Sequence, residues 1–199
     1  ENNETSTLFS ILIPTITSRR ERFNNLLNSI NHQIEKEGLE NKVQVCSLCD
    51  NKDMTIGAKR NVLLGMATGK YVAFIDDDDS VPDYYVKKVV EAVQEDDPDV
   101  LGIHGTINIM FRHGIKVKRS FFHTIDNKSY WESPRGYERP PNHLNPMKRE
   151  IALRYQFPGR NMGEDTDWAM RICRDGVLKV QKWIPDPMYF YEYNAFKVD

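Results

Sequence analysis

No apolar run in this chain approaches the length a helix needs to cross a bilayer, and no charged-then-apolar leader pattern opens it. An excess of one charge is missing too: Lys and Arg total 27 against 29 Asp and Glu, a formal net charge of −2. A global basic field for nucleic acid or an anionic membrane is thereby excluded, although a local basic patch is not. Cysteine is scarce, with three in 199 residues. Cys46-Ser47-Leu48-Cys49 spells a redox or zinc pair, but no second pair accompanies it. It also falls in a strand-like run, where residues three apart face opposite sides. Ordinary thiols in a reducing, cytoplasmic compartment are the expectation. Repeats and flexible linkers are absent as well. One domain over 8–199 is expected, behind a polar, poorly ordered lead-in over 1–7.

What the chain does have is an apolar run that ends in acid. Lys70-Tyr71-Val72-Ala73-Phe74-Ile75 is followed by Asp76-Asp77-Asp78-Asp79-Ser80, with Gly69 before and Pro82 after. Such a run reads as a buried strand of the parallel type. Ligands of open α/β sheets bind beyond the carboxyl ends of strands, where these aspartates fall. Four adjacent carboxylates repel unless water, a cation or a positive partner neutralises them. If strand geometry persists, Asp76 and Asp78 face one side, Asp77 and Asp79 the other. One or two of these carboxylates with the phosphates of a nucleotide would suit a hard divalent cation. Asp79 and Ser80 are also expected to cap the helix that follows.

The periodicities predict β-α-β-α-β and then a change of pattern. Leu8–Ile13 is a strand ended by Pro14-Thr15. Phe23, Leu26, Leu27, Ile30 and Ile34 mark a helix stopped by Gly38, and Val43–Leu48 is a second strand. Thr55 and Gly57 open a helix with Ala58, Val62, Leu63 and Met66 inward. A third helix follows the acidic strand over about Pro82–Glu95. Beyond Asp99 come shorter strands at Val100–Ile103, Ile107–Phe111 and Ile115–Phe121, the last two a hairpin through His113-Gly114. Ser129–Pro141, rich in aromatics, Arg and Pro, is expected as an ordered loop of the kind that holds substrates, and its basic part Ser129–Arg139 could grip an anionic acceptor. Helices over Met147–Tyr155 and Glu164–Arg174 and strands at Val177–Val180 and Met188–Tyr193 close the chain. The fold class is α/β: a mostly parallel central sheet flanked by helices, with a small antiparallel part.

Several of these stretches together resemble the family 2 glycosyltransferases of the GT-A fold. They are Ile11-Leu12-Ile13-Pro14-Thr15, Asp50, Gly57-Ala58-Lys59-Arg60-Asn61, Phe74-Ile75-Asp76-Asp77-Asp78-Asp79 and Gly163-Glu164-Asp165, and the similarity runs from about Phe9 to Tyr193. The resemblance implies transfer of a sugar from a nucleotide sugar, UDP-linked, to an acceptor hydroxyl with inversion. It divides the domain into a nucleotide-binding half, about 8–98, and an acceptor half, about 99–199. Pro14 and Thr15 match the nucleotide contact at the first strand end. The Tyr that usually follows is replaced by Ile16-Thr17-Ser18-Arg19. Asp50 matches the carboxylate that accepts from the uracil N–H, its alternative being an Asx turn. Arg60, helped by Lys59, matches the cation near base and phosphates, while Asn61 ties loop backbone.

Within the acidic motif, Asp76 resembles the ribose contact, with Asp77 close enough to compete. Asp78 resembles the ligand of Mn²⁺ or Mg²⁺, which neutralises the leaving diphosphate. Asp165 matches the general base, and Glu164 is the alternative base or an acceptor contact. Asn142–Arg149 is where the family shapes its acceptor pocket, and His143 is open between phosphate, metal, acceptor and a structural role. Trp131, Tyr137 and Trp183 are candidates to stack on sugars, whereas Trp168 is expected in the core. Which sugar moves, and whether glycan, lipid-linked sugar, protein or modified nucleic acid receives it, is left open.

Two other readings compete. Asp76-x-Asp78-x-Ser80 also spells a haloacid-dehalogenase-type phosphohydrolase nucleophile, but that motif belongs on a first strand and leaves Glu164-Asp165 without a task. A non-catalytic nucleotide-sugar-binding module would keep the fold and not the chemistry. An EF-hand fails because the twelfth position from Asp76 is Lys87.

Overall fold

The structure, a computed structural model, describes residues 6–195. The expected lead-in lies outside the described residues over 1–5, and by Thr7 the chain already joins the sheet, its carbonyl accepting from Lys70 N–H (3.2 Å). β1 (Phe9–Ile16) pairs in parallel with β2 (Val43–Asp50) on one side. On the other side it pairs with β3 (Tyr71–Phe74). Helices α1 (Arg20–Lys36) and α2 (Ile56–Met66) are the crossovers, and α3 (Tyr85–Asp96) follows β3. Alternation along β1 divides the core. Phe9, Ile11 and Ile13 pack with α1 and α3, while Leu12 joins Leu63 and Leu64 of α2 on the opposite face.

Pro14 lies inside β1 and does not end it. Leu12 is the last β1 residue paired with β3, so the missing N–H of Pro14 falls where that neighbour has stopped. β3 is the short one, stopping at Phe74. The aspartates therefore form a turn, with Asp79 N–H donating to Asp76 O (3.1 Å), and not a continued strand.

β4 (Val100–Met110) is one long strand where two were expected. Gly105 does not break it. A Cβ there would sit 1.9 Å from the Tyr189 carbonyl oxygen, so the glycine admits a neighbouring strand. β5 (Lys116–His123) returns antiparallel through a 3-10 turn at Arg112–Gly114, as the hairpin signal predicted. The expected loop over Ser129–Pro141 is instead a hairpin of β6 (Trp131–Ser133) and β7 (Gly136–Arg139). The buried Glu138 carboxylate pins it, accepting from Arg135 Nη2 (2.9 Å), Ser133 Oγ (2.8 Å) and Asn127 Nδ2 (3.2 Å).

β8 (Met147–Lys148) inserts antiparallel between β3 and β4, taking the first residues of a predicted helix. Only α4 (Arg149–Ala152) of that helix forms, because the Lys148 and Arg149 amides donate to the Asp99 and Lys70 carbonyls. α5 (Glu164–Asp175) buries Trp168, Ala169 and Ile172 as expected. β9 (Gln181–Trp183) stands in place of the strand expected at Val177–Val180, and β10 (Tyr189–Asn194) closes the sheet; both pair in parallel with β4. Cys46 and Cys49 are free, one buried and one exposed, on opposite faces of β2. Among the described residues no helix is long and apolar enough to cross a membrane.

α2 carries the largest departure from the amphipathic reading. Val62 and Met66 are exposed, while Lys59 and Arg60 are buried at 2% and 4% exposure. The helix also holds the segment before α5. Asn61 exchanges hydrogen bonds with the Phe157 backbone (2.9 and 2.8 Å), and Gly57 N–H donates to Arg160 O (3.2 Å). A Cβ on Gly57 would lie 1.8 Å from Pro158 O. Gly57→Ala is therefore expected to destabilise the protein by about 1–3 kcal/mol, as overpacking does. Urea unfolding should show a lower midpoint at unchanged slope. An unshifted midpoint would mean that α2 does not hold the 157–163 segment.

Candidate active site

The carboxyl ends of β1, β2 and β3 meet the amino-terminal turns of α2 and α5, and charged side chains from each are interleaved there. Lys59 donates to the Thr15 carbonyl (2.7 Å) and closely contacts the Asp50 carboxylate. Asp50 also accepts from Met54 N–H (2.7 Å). The Lys59 bond first, then the Met54 amide, hold its carboxyl below the usual range. Asp50 thus closes its own turn, and as a carboxylate it keeps lone pairs for a ligand.

Arg60 bridges the acidic turn and the start of α5. Its Nη2 lies 3.0 Å from Asp76 Oδ1 and its Nε donates to Glu164 Oε1 (3.3 Å), while its guanidinium stacks over Phe74 (5.1 Å). Burial opposes ionisation of Asp76, but Arg60 and His143 hold its carboxyl well below the usual range. Asp77 is buried and accepts from Thr15 Oγ1 (2.8 Å) and Arg19 Nη1 (2.9 Å). Asp78, more open, faces Arg19 at 3.4 Å, and burial with Asp76 beside it pushes its carboxyl up. Asp79 points away. It accepts from Tyr189 OH (2.6 Å) and Glu192 N–H (2.9 Å), so it anchors β10 and does not cap α3. Ser80 likewise bridges Phe190 through its backbone, and α3 begins from Tyr84 with no side-chain cap.

The two acidic residues opening α5 sit in different environments. Glu164 is buried on Arg60, its side chain 6% exposed; that of Asp165 is 33% exposed. His143 stands between the two motifs, Nε2 3.6 Å from Asp76 Oδ2 and Nδ1 3.8 Å from Asp165 Oδ2. Both distances are too long for hydrogen bonds, so neither ring nitrogen of this buried histidine makes one among the described residues.

Two cavities meet at this junction. The outer cleft, about 450 Å³, is lined by Pro14, Thr15, Lys59, Arg60, Asp76, Asp77, Asp78, Glu164 and Asp165, which gathers every expected site residue except Asp50. Arg19, Lys52 and Asn161 also line it and were not singled out as ligand contacts. The inner cavity, about 280 Å³, is walled by the sheet's far half. Asp76, Asp165 and Tyr191 line both. Its wall follows the period of two: Ile107 and Ile109 on β4, Phe121 and His123 on β5, Tyr137 and Arg139 on β7, Tyr191 and Tyr193 on β10. The alternation Tyr189-x-Tyr191-x-Tyr193 was the readable signal for this wall and was missed. Of the aromatic candidates Tyr137 alone lines either of these two cavities. Trp168 is core, Trp183 stacks on His104, and Trp131 donates to Asn127 Oδ1 (3.2 Å).

A mostly parallel sheet with acidic strand ends below two helix starts is the α/β arrangement that places a ligand beyond the strand ends. The chain matches the family model described as Glycosyl transferase family 2 over residues 33–160, and it belongs to that family. No curated protein matches it. Among solved structures it is similar to S. aureus TarS 1-349, with TM-score 0.60 and 19% identity over 94% of this chain. TarS 1-349 in complex with UDP-GlcNAc gives TM-score 0.61 and 19% identity over 96% of this chain. The chain spans 60% of the length of TarS 1-349 and 37% of the longer TarS structure. These likenesses give the GT-A fold, as expected.

Removing one member of a buried charge cluster leaves the others unpaired, which costs about 3–5 kcal/mol. Arg60→Met is expected to lose stability on that scale, and Glu164→Gln in the same background to recover part of it. A double-mutant cycle on denaturant unfolding measures this; strictly additive effects would show that the two side chains do not depend on each other.

Proposed function

We propose that the protein transfers a sugar from a UDP-linked donor to an acceptor hydroxyl with inversion at the anomeric carbon. The observation that carries this reading is the junction of the two cavities, where Asp76 and Asp165 line both. The nucleotide would lie in the outer cleft, on Pro14, Thr15, Asp77 and Arg60, with Asp50 accepting from the uracil N–H at the rim. The solved TarS complexes with UDP and UDP-GlcNAc support this choice of donor. This reading divides the domain into a donor half, about 8–98, and an acceptor half, about 99–199; the inner cavity's lining, mainly Ile107 to Tyr193, supports it, although Asn161–Asp165 and Tyr191 also line the outer cleft.

A divalent cation fits the donor set in a limited way. Five carboxylates and four cationic side chains line the cleft, and a diphosphate would add further negative charge. Among the described residues no group of three or more His, Cys, Asp or Glu could hold a metal. Asp78, the more open carboxylate, would hold Mn²⁺ or Mg²⁺ with phosphate oxygens and water completing the shell. Such an ion supplies charge neutralisation for the leaving diphosphate.

In the reaction, the acceptor oxygen forms a bond to the anomeric carbon. The carbon–oxygen bond to the diphosphate breaks, and its electron pair leaves with UDP. The acceptor proton passes to Asp165. Glu164 suits that task less, because Arg60 already engages it and burial keeps it from the acceptor side. The phosphohydrolase reading has no support in a chain of this family. In the binding-module reading Asp165 would do no chemistry.

General-base catalysis typically supplies about 10²–10⁴-fold. Asp165→Asn is expected to lower the transfer rate on that scale with UDP affinity nearly intact, whereas Glu164→Gln should chiefly lower stability. Rates and donor affinities of both variants on one acceptor decide it; a large rate loss confined to Glu164→Gln would reverse the roles. Asp78→Ala, by calorimetry, is expected to lose most of the Mn²⁺-dependent part of UDP affinity. Unchanged affinity would remove Asp78 from the metal site.

A further inference from the structure

Arg139 is the one charged side chain of the inner cavity that faces no carboxylate within ion-pair reach among the described residues. Its guanidinium is held between the rings of Tyr130 (5.2 Å) and Tyr137 (5.4 Å). It lines the inner cavity, in register with His123 on β5. Nearby Arg135, on the same hairpin, is by contrast consumed by Glu138. A stacked, oriented guanidinium with unused donors is a fork suited to a carboxylate or phosphate.

Two further observations point the same way. His143, which also lines the cavity, is 5% exposed and neither ring nitrogen makes a hydrogen bond among the described residues, so the cavity can satisfy a polar occupant. Outward along β5, Arg119 pairs with Ile107, which lines the cavity, and thus shares its face. That arginine is exposed, whereas Lys116 and Lys118 alternate to the opposite face of β5. Arg119 therefore adds a second cation on the cavity face of β5, two residues along from Phe121.

We infer that the acceptor is an anionic sugar or glycan, whose phosphate or carboxylate is bound by Arg139 while its reacting hydroxyl faces Asp165. This rests on the reading of the outer cleft as the donor site. The cavity, at about 280 Å³, is at the small end for a ligand site and suits one sugar residue at a time. Burial and the nearby Arg139 push His123 down to about 3, so His123 is neutral and adds no competing cation. Arg139 is here a specificity residue. It touches the substrate away from the reacting atoms.

The test uses the full chain saturated with UDP and Mn²⁺ and titrated with glucose 6-phosphate, glucuronate and glucose. The anionic sugars are expected to bind about tenfold or more tighter than glucose. Arg139→Gln should erase that gap, and Arg139→Lys should keep part of it. Equal binding of charged and neutral sugars to the wild type, or a gap that survives Arg139→Gln, overturns the inference. If Arg139→Gln does not fold, the wild-type gap and its partial retention in Arg139→Lys decide. A second arm compares UDP-glucuronic acid with UDP-glucose: an Arg139-dependent preference there, and none among the free sugars, assigns the anion to the donor and overturns the acceptor claim. Failure of UDP itself to bind is a different result and would sink the donor reading.

Discussion

The site depends on one buried guanidinium. Arg60 is 4% exposed and spans from Asp76, at the end of β3, to Glu164, at the start of α5. Without it two carboxylates would share a desolvated space, and like charges there cannot both stay ionised at low cost. Because Arg60 sits on α2, the helix must turn a charged stripe inward where an apolar one is usual. Lys59 continues that stripe against Asp50 and the Thr15 carbonyl. The ends of β1, β2 and β3 and the start of α5 are thereby tied to a single helix by ionic contacts. The apolar clusters on either face of the sheet set the layers; the α2 charges set how the strand ends and α5 meet.

This explains which parts of the chain were legible. β1 to β3 and α1 to α3 announce themselves because their burial is one-sided or complete, which imposes a period of 3.6 or an unbroken apolar run. The acidic turn and Glu164-Asp165 were visible as charges at element boundaries. α2 was misread because its inner face is chosen by carboxylates from 9 to 104 residues away, and helical periodicity carries no such information. The same reason hid Asp79. Its local position says helix cap, whereas its partners Tyr189 and Glu192 lie 110 and 113 residues on.

The second half was harder for a different reason. β4 is shared by β5, β8, β9 and β10, so its residues serve several neighbours and its pattern is broken by Gly102 and Gly105. The β6–β7 hairpin has almost no apolar alternation to read. Its order comes from Glu138, whose carboxyl is held down to about 2, Arg135 first among the causes and the Ser133 and Asn127 bonds assisting. A segment stabilised by polar bonds to its own turn looks like a loop in one dimension.

The contrast between Glu164 and Asp165 follows from where the charges are placed. Adjacent residues at a helix start point about 100° apart. One therefore falls into the Arg60 cluster and the other toward the cavity junction. The first is neutralised by an ion pair and ordered by it; the second faces His143 and open space, with its Oδ2 3.8 Å from the ring. A group that must accept a proton needs an unoccupied lone pair and room for the donor, and of these two the more exposed Asp165 meets that need better, which is why the proposed reaction gives it the proton. Glu164 contributes by fixing the first turn of α5, which fixes the direction in which Asp165 points. Glu164, through Arg60, registers the helix against the turn that carries Asp76 to Asp78, and in the proposed reaction Asp165 would meet the acceptor from that registered position.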